Sequence, residues 1–150
     1  MNTSNIVAEV SLKYNPVVSP NDLPLIDSPD KAHDLLRSVW DQDSFHLVES
    51  FMILILNSAK RCLGWSLISR GNSRSTIVDP KNVFQLAMLA NGDSILCAHN
   101  HCGGVLKASR ADIQLTKRIK EAGDLLSIPL VDHIILTADG YLSMKSLGLL

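Results

Sequence analysis

Several things are scarce in these 150 residues, and each scarcity excludes a class of protein. No apolar run reaches the roughly 18 residues needed to cross a bilayer, so no membrane span is expected. Met1–Lys13 shows no basic start followed by an apolar block, so no secretory leader is expected either. Cysteines number three, Cys62, Cys97 and Cys102. With no export signal, an odd and small set of thiols reads as a reduced, cytoplasmic chain. No Cys-x-x-Cys pair exists, which removes zinc-ribbon and thioredoxin readings. Neither sign of charge dominates: the formal net charge is −1, which argues against a generic nucleic-acid coat and leaves room for a local basic patch. What is present is a hydrophobic content of 46%, enough for a core and too much for a disordered chain. The length suits one ordinary domain.

Residues 1–28 stand apart. Ala8, Val10 and Leu12 alternate with Glu9, Ser11 and Lys13, a period of two that predicts an edge strand. Pro16, Pro20 and Pro24 then predict an extended arm lying on a domain formed by residues 29–150. Ser28-Pro29 predicts a helix start, with Ala32, Leu35, Leu36 and Val39 on one face and an end near Trp40. Residues 47–56, LVESFMILIL, read as a strand buried on both faces, and residues 57–60 turn it into a partner at 63–69. A second helix starts at Asp79-Pro80, with Val83, Ala87 and Ala90 on one face and Gly92 just past its end. A short strand at 94–98, a third helix at about 110–126, and strands at 130–137 and 141–144 complete the chain. Helices interleaved with hairpins predict an α/β domain, a mixed sheet flanked by helices.

The informative segment runs from His99 to Asp112. His99 and His101 are two apart at the end of a strand, so both imidazoles project from one face while Asn100 points away. Asp112 shares its helix side with Leu115, Ile119, Ala122 and Leu126, so it opens the inward face. Two histidines and a carboxylate are a hydrolytic zinc set, with the fourth position left to water. Glu49, the only acid of the 47–56 strand, is the candidate general base. Ser109 is placed to donate to a developing oxyanion. Plainer readings stand beside these. Ser109-x-x-Asp112 also reads as a capping box, the histidine pair as structural or exposed, and Glu49 as an edge residue reaching water.

Together, His99-x-His101, Ser109, Asp112 and an upstream Glu49 resemble the JAMM (JAB/MPN) metalloprotease motif. Ser75–Pro80, His99-Asn100-His101, Ala108–Asp112, Asp132–Ile135 and the ending Ser143–Leu150 resemble its RadC branch, over roughly residues 45–150 and more weakly before. The resemblance implies a cytidine-deaminase-like mixed sheet between helices. It implies one zinc held by His99, His101 and Asp112, with Glu49 as base and Ser109 as oxyanion-side donor, and cleavage of peptide or isopeptide bonds in an unidentified protein or peptide substrate. RadC domains usually read His-Asn-His-Pro-Ser-Gly, where this chain has Cys102-Gly103-Gly104. That change loosens the loop and places a thiol, a soft zinc ligand, next to His101; strand alternation turns it away. The helix-hairpin-helix segment of full-length RadC proteins is not among these residues, which leaves DNA binding weakly supported.

The rival reading is a DNA-repair-associated, nucleic-acid-binding accessory module without protease activity. It draws on Lys107, Arg110, Lys117, Arg118 and Lys120, a set diluted by Glu121 and Asp124. A zinc deaminase would need a Cys-x-x-Cys pair. Asp132 and His133 could orient a ligand histidine, but read more simply as structural. Trp40 and Trp65 read as packing or partner contacts, and Glu9, His33 and Asp93 as surface. Oligomeric state is not legible.

Overall fold

Why the chain forms a sheet between helices is visible in the alternation of its strands. In the computed structural model, which describes residues 7–11 and 15–150, β1 (Ser50–Leu56) is buried along its whole length. Its even-numbered side chains Met52, Leu54 and Leu56 pack with α1 (Pro29–Val39), while Phe51, Ile53 and Ile55 pack with α2 (Pro80–Leu89) and α3 (Arg110–Leu126). One run of apolar residues thus serves two cores, because a central strand must satisfy both faces. The sheet order is β2-β1-β3-β4-β5, with β2 at Cys62–Arg70, β3 at Ser94–Asn100, β4 at Leu130–Thr137 and β5 at Gly140–Ser143. Only β3 and β4 run parallel, and α3 supplies their crossover. The mixed α/β architecture agrees with the expectation from the sequence.

The caps are local and behave as read. Ser28 Oγ accepts from Lys31 N, Asp79 Oδ1 from Lys81 N, and a proline follows each cap. Trp40 is buried, whereas Trp65 is half exposed on edge strand β2. His33 is not a free surface residue; its ring stacks on Tyr141.

Some expectations need correction. Residues 7–11 form no strand and are exposed; Leu12 and Lys13 lie outside the described residues. Among the described residues of the arm, residues 23–26 dock, through Ile26 N–H to Lys60 O, Cys62 N–H to Pro24 O, and the Arg61 guanidinium to Leu23 O. β1 starts at Ser50 rather than residue 47, because residues 42–47 turn and are held from below by the Asn100 side chain. Gly92 does lie just past the end of α2; the left-handed residue there is Asn91, φ 52°, and Gly92 is where the chain passes close to β1: a Cβ there would lie 2.3 Å from Ile55 Cγ2. The buried side of α3 is Thr116, Ile119 and Gly123, with Leu126 exposed, because Phe84 of α2 and the Ile128 carbonyl press on Gly123.

Candidate metal centre

β3 carries His99 into the α3 side of the sheet, opposite Phe51 in the β1 register and beside Ile135 in the β4 register. The two rings of Phe51 and His99 lie nearly parallel, and His99 is buried. One residue past the strand, His101 is held by its own main chain, its N–H donating to Leu136 O. Asp112 descends onto the pair from the first turn of α3. The distances are 2.8 Å between His99 Nε2 and His101 Nε2, 3.1 Å from His99 Nε2 to Asp112 Oδ1, and 3.2 Å from His101 Nε2 to Asp112 Oδ2. The predicted convergence of these three residues is therefore present.

The donor set fits a cation. Two imidazole nitrogens and a carboxylate face one point, and each could give one ligand atom to the same ion. Among the described residues this is the one such group of histidine, cysteine and acid. His101 Nδ1 lies 2.7 Å from Val105 O, which can only accept. His101 therefore carries its proton on Nδ1 when neutral and leaves Nε2 bare toward the site. Without a cation, protons take its place. The hydrogen bond with Asp112 raises the His101 pKa against the opposing effect of burial. Burial alone would raise the Asp112 carboxyl, but hydrogen bonds from the His101 side chain and the Ser109 N–H act against it, and the carboxyl lies far below the usual carboxylate range.

Glu49 sits one residue before β1, not inside it as the sequence suggested. Its main chain continues the pairing with the far end of β2: Glu49 N–H donates to Asn72 O and Glu49 O accepts from Gly71 N–H. Its side chain lines the same cleft, of about 750 Å³, as His99, His101, Ser109 and Asp112. Burial pushes the Glu49 carboxyl up, opposed by the two imidazoles. Ser109 is a cap: Oγ accepts from Asp112 N–H at 3.0 Å, and Ser109 N–H donates to Asp112 Oδ2 at 2.7 Å. Capping uses the oxygen's lone pair and leaves the hydroxyl proton for the cleft, so the two readings of Ser109 do not conflict. Cys102 turns away, its thiol donating to Ser73 O.

Three residues act on this site that sequence reasoning passed over or set aside. His133, on β4, places Nε2 at 2.8 Å from His99 Nδ1. Thr116, one turn beyond Asp112, places Oγ1 at 2.6 Å from His133 Nδ1. Burial holds the His133 imidazole neutral, well below the usual histidine range. Asn100 does point away from the site, and there it grips the segment that bears Glu49. Its amide donates to Phe45 O and Val48 O and its oxygen accepts from Ser50 N–H. The signal for His133 was a histidine in an apolar strand; nothing local marked Thr116. Asp132 is spent on the chain end, accepting from His133 N–H, Lys145 N–H and Ser143 Oγ–H.

Residues 26–149 match the family model described as RadC-like JAB domain. The chain is 35% identical over 130 residues to a UPF0758 protein of Thermosynechococcus vestitus, covering 85% of this chain and 50% of that one. It is 42% identical over 98 residues to a UPF0758 protein of Finegoldia magna, covering 65% and 44%. Against a UPF0758 protein of Listeria monocytogenes it is 33% identical over 146 residues, covering 97% and 64%. The chain thus spans about half the length of the first two relatives and under two thirds of the third.

Proposed function

The chain belongs to the RadC-like JAB domain family, and from that premise we propose that it is a zinc-dependent hydrolase of amide bonds in a protein or peptide substrate. The observation that carries this reading is the convergence of His99, His101 and Asp112 on one wall of a cleft that Glu49 and Ser109 also line. Zinc held there would supply Lewis acidity to a carbonyl and make water a nucleophile at neutral pH. Glu49 takes the proton from the attacking water and returns it to the leaving amine as the C–N bond breaks. Burial raises the Glu49 pKa in the metal-free site, and a cation held beside it would favour the carboxylate form that accepts the proton. Ser109 Oγ–H donates to the oxygen that gains charge.

The test starts with the purified chain, stripped by chelator, reloaded with zinc and given a peptide digest read by mass spectrometry. Cleavage is expected only with zinc. Glu49→Gln should keep zinc and lose at least about a hundredfold in rate, the size of a positioned acid–base effect. A wild-type chain that takes up no zinc, or a Glu49→Gln variant that cuts as fast as wild type, overturns the reading.

One observation favours a second reading, an accessory module that binds nucleic acid. The basic residues of α3 divide in two. Lys117 pairs with Glu121 and Lys120 with Asp124, while Arg110 and Arg118 line the cleft with Arg74 and Lys107 and form no ion pair among the described residues. A phosphate backbone would meet those four cations, and so would acidic side chains of a peptide. Retention of a fluorescent oligonucleotide that weakens with salt and ignores chelator favours the module. Chelator-sensitive peptide cleavage favours the hydrolase.

A further inference from the structure

A histidine offers a lone pair to a metal only if its proton sits on the other ring nitrogen. For His101 the Val105 carbonyl enforces this. For His99 the partner is His133, whose ring nitrogens can each donate or accept, so the direction must be set farther out. Thr116 sets it. Its Oγ1 lies 2.6 Å from the main-chain carbonyl of Asp112, an atom that can only accept, and the hydroxyl has one proton to give. The nearest competing acceptor is the Met144 thioether at 3.4 Å, a weak one. With its proton committed, Thr116 Oγ1 accepts from His133 Nδ1–H at 2.6 Å. His133 Nε2 is then bare and accepts from His99 Nδ1–H at 2.8 Å. His99 Nε2 is left with the lone pair that a cation would take at the point it shares with Asp112 and His101; an N–H there would donate to Asp112 instead, and the circuit through Thr116 and His133 decides between the two. Thr116, His133 and His99 are all buried, so water offers no alternative partner along the way.

We propose that Thr116 and His133 are positioning residues that lock His99 in its Nδ1–H tautomer and thereby set the metal affinity of the site. The proposal rests on the metal reading given above. It makes Asp112 act twice. Its carboxylate faces the imidazoles directly, and its main-chain carbonyl orients His99 from behind through Thr116 and His133. The first turn of α3 therefore holds the near and far ends of one hydrogen-bond circuit. If the chain is cut at Thr116, His133 Nδ1–H has no acceptor, and His99 is free to present an N–H where a ligand lone pair is needed.

The test has two independent readouts. Two-bond ¹H–¹⁵N correlation spectra of the metal-free protein at mildly alkaline pH should show Nδ1–H tautomers at both His99 and His133. Zinc affinity, measured by competition with a chromophoric chelator, should fall about 10–100-fold in Thr116→Val, which keeps the side-chain shape and removes the hydroxyl. Thr116→Ser should restore it to within a few-fold. A merely structural threonine would change unfolding midpoints and leave the tautomers and the affinity alone. An Nε2–H tautomer at His133, or equal zinc affinity in wild type and Thr116→Val, overturns the proposal. Failure of the metal reading shows differently: wild type then takes up no zinc while the tautomers remain as derived.

Discussion

At His101 a proton and a cation compete for one nitrogen, which gives the metal-free protein a pH signature. Its pKa is raised by Asp112, so the stability it contributes is full below the unfolded value of about 6.5 and is lost as pH rises through the folded value. Asp112 is held far below its unfolded value of about 3.9, so its contribution is present above that pH and lost as pH falls toward the folded value. The pair is complete between about pH 4 and the His101 folded value. The difference in urea midpoint between metal-free wild type and Asp112→Asn should therefore be larger at about pH 5 than at about pH 9. His133, buried and neutral, loses stability on acidification in both proteins and cancels from the difference. An equal gap at the two pH values would mean that the pair does not form in solution.

Helix α3 shows how an element reconciles a site with a core. Its cap, Ser109, and its third residue, Asp112, bond each other, which fixes the carboxylate before any packing. One face then descends through Thr116 and Ile119 to Gly123, polar at the site end and closely packed at the other. At Gly123 an added Cβ would lie 2.5 Å from Ile128 O and 3.3 Å from Phe84 Cζ. Alanine is the better helix former by about 1 kcal/mol, yet Gly123→Ala should destabilise by about 1–3 kcal/mol, because overpacking against backbone outweighs propensity. Urea unfolding decides it; a stabilised variant would show that α2 and α3 can separate. Seventeen residues of helical periodicity made α3 easy to foresee. Its buried side was misjudged at Leu126 because apolar spacing alone does not tell where a neighbouring backbone comes close.

Across the whole molecule, Asn100 ties the two halves of the site together from the opposite face of the sheet. It stands between His99 and His101, and its side chain makes three hydrogen bonds to Phe45, Val48 and Ser50 around Glu49. Asn100→Ala strands these main-chain groups, at a cost of roughly 3 kcal/mol by urea unfolding. Zinc affinity should change little, since the ligands sit on the other side. Hydrolysis should fall, because the segment bearing Glu49 loses its anchor. Loss of zinc at unchanged stability would contradict this division of labour.

Local chemistry made much of this protein legible from residues alone. A two-residue spacing in extended chain puts His99 and His101 on one side, a Ser-x-x-Asp box fixes Ser109 to Asp112, and alternation or helical period marks the elements. These depend on neighbours a few residues away, so no knowledge of the distant chain is needed. Tertiary structure decided the rest. The antiparallel register of β1 with β3 delivers Glu49 to the cleft from outside its strand, and the parallel register of β3 with β4 sets His133 against His99 across 34 positions of sequence. Which strands pair, and in which register, is settled by burying two apolar faces at once, a sum over many residues that no single motif contains.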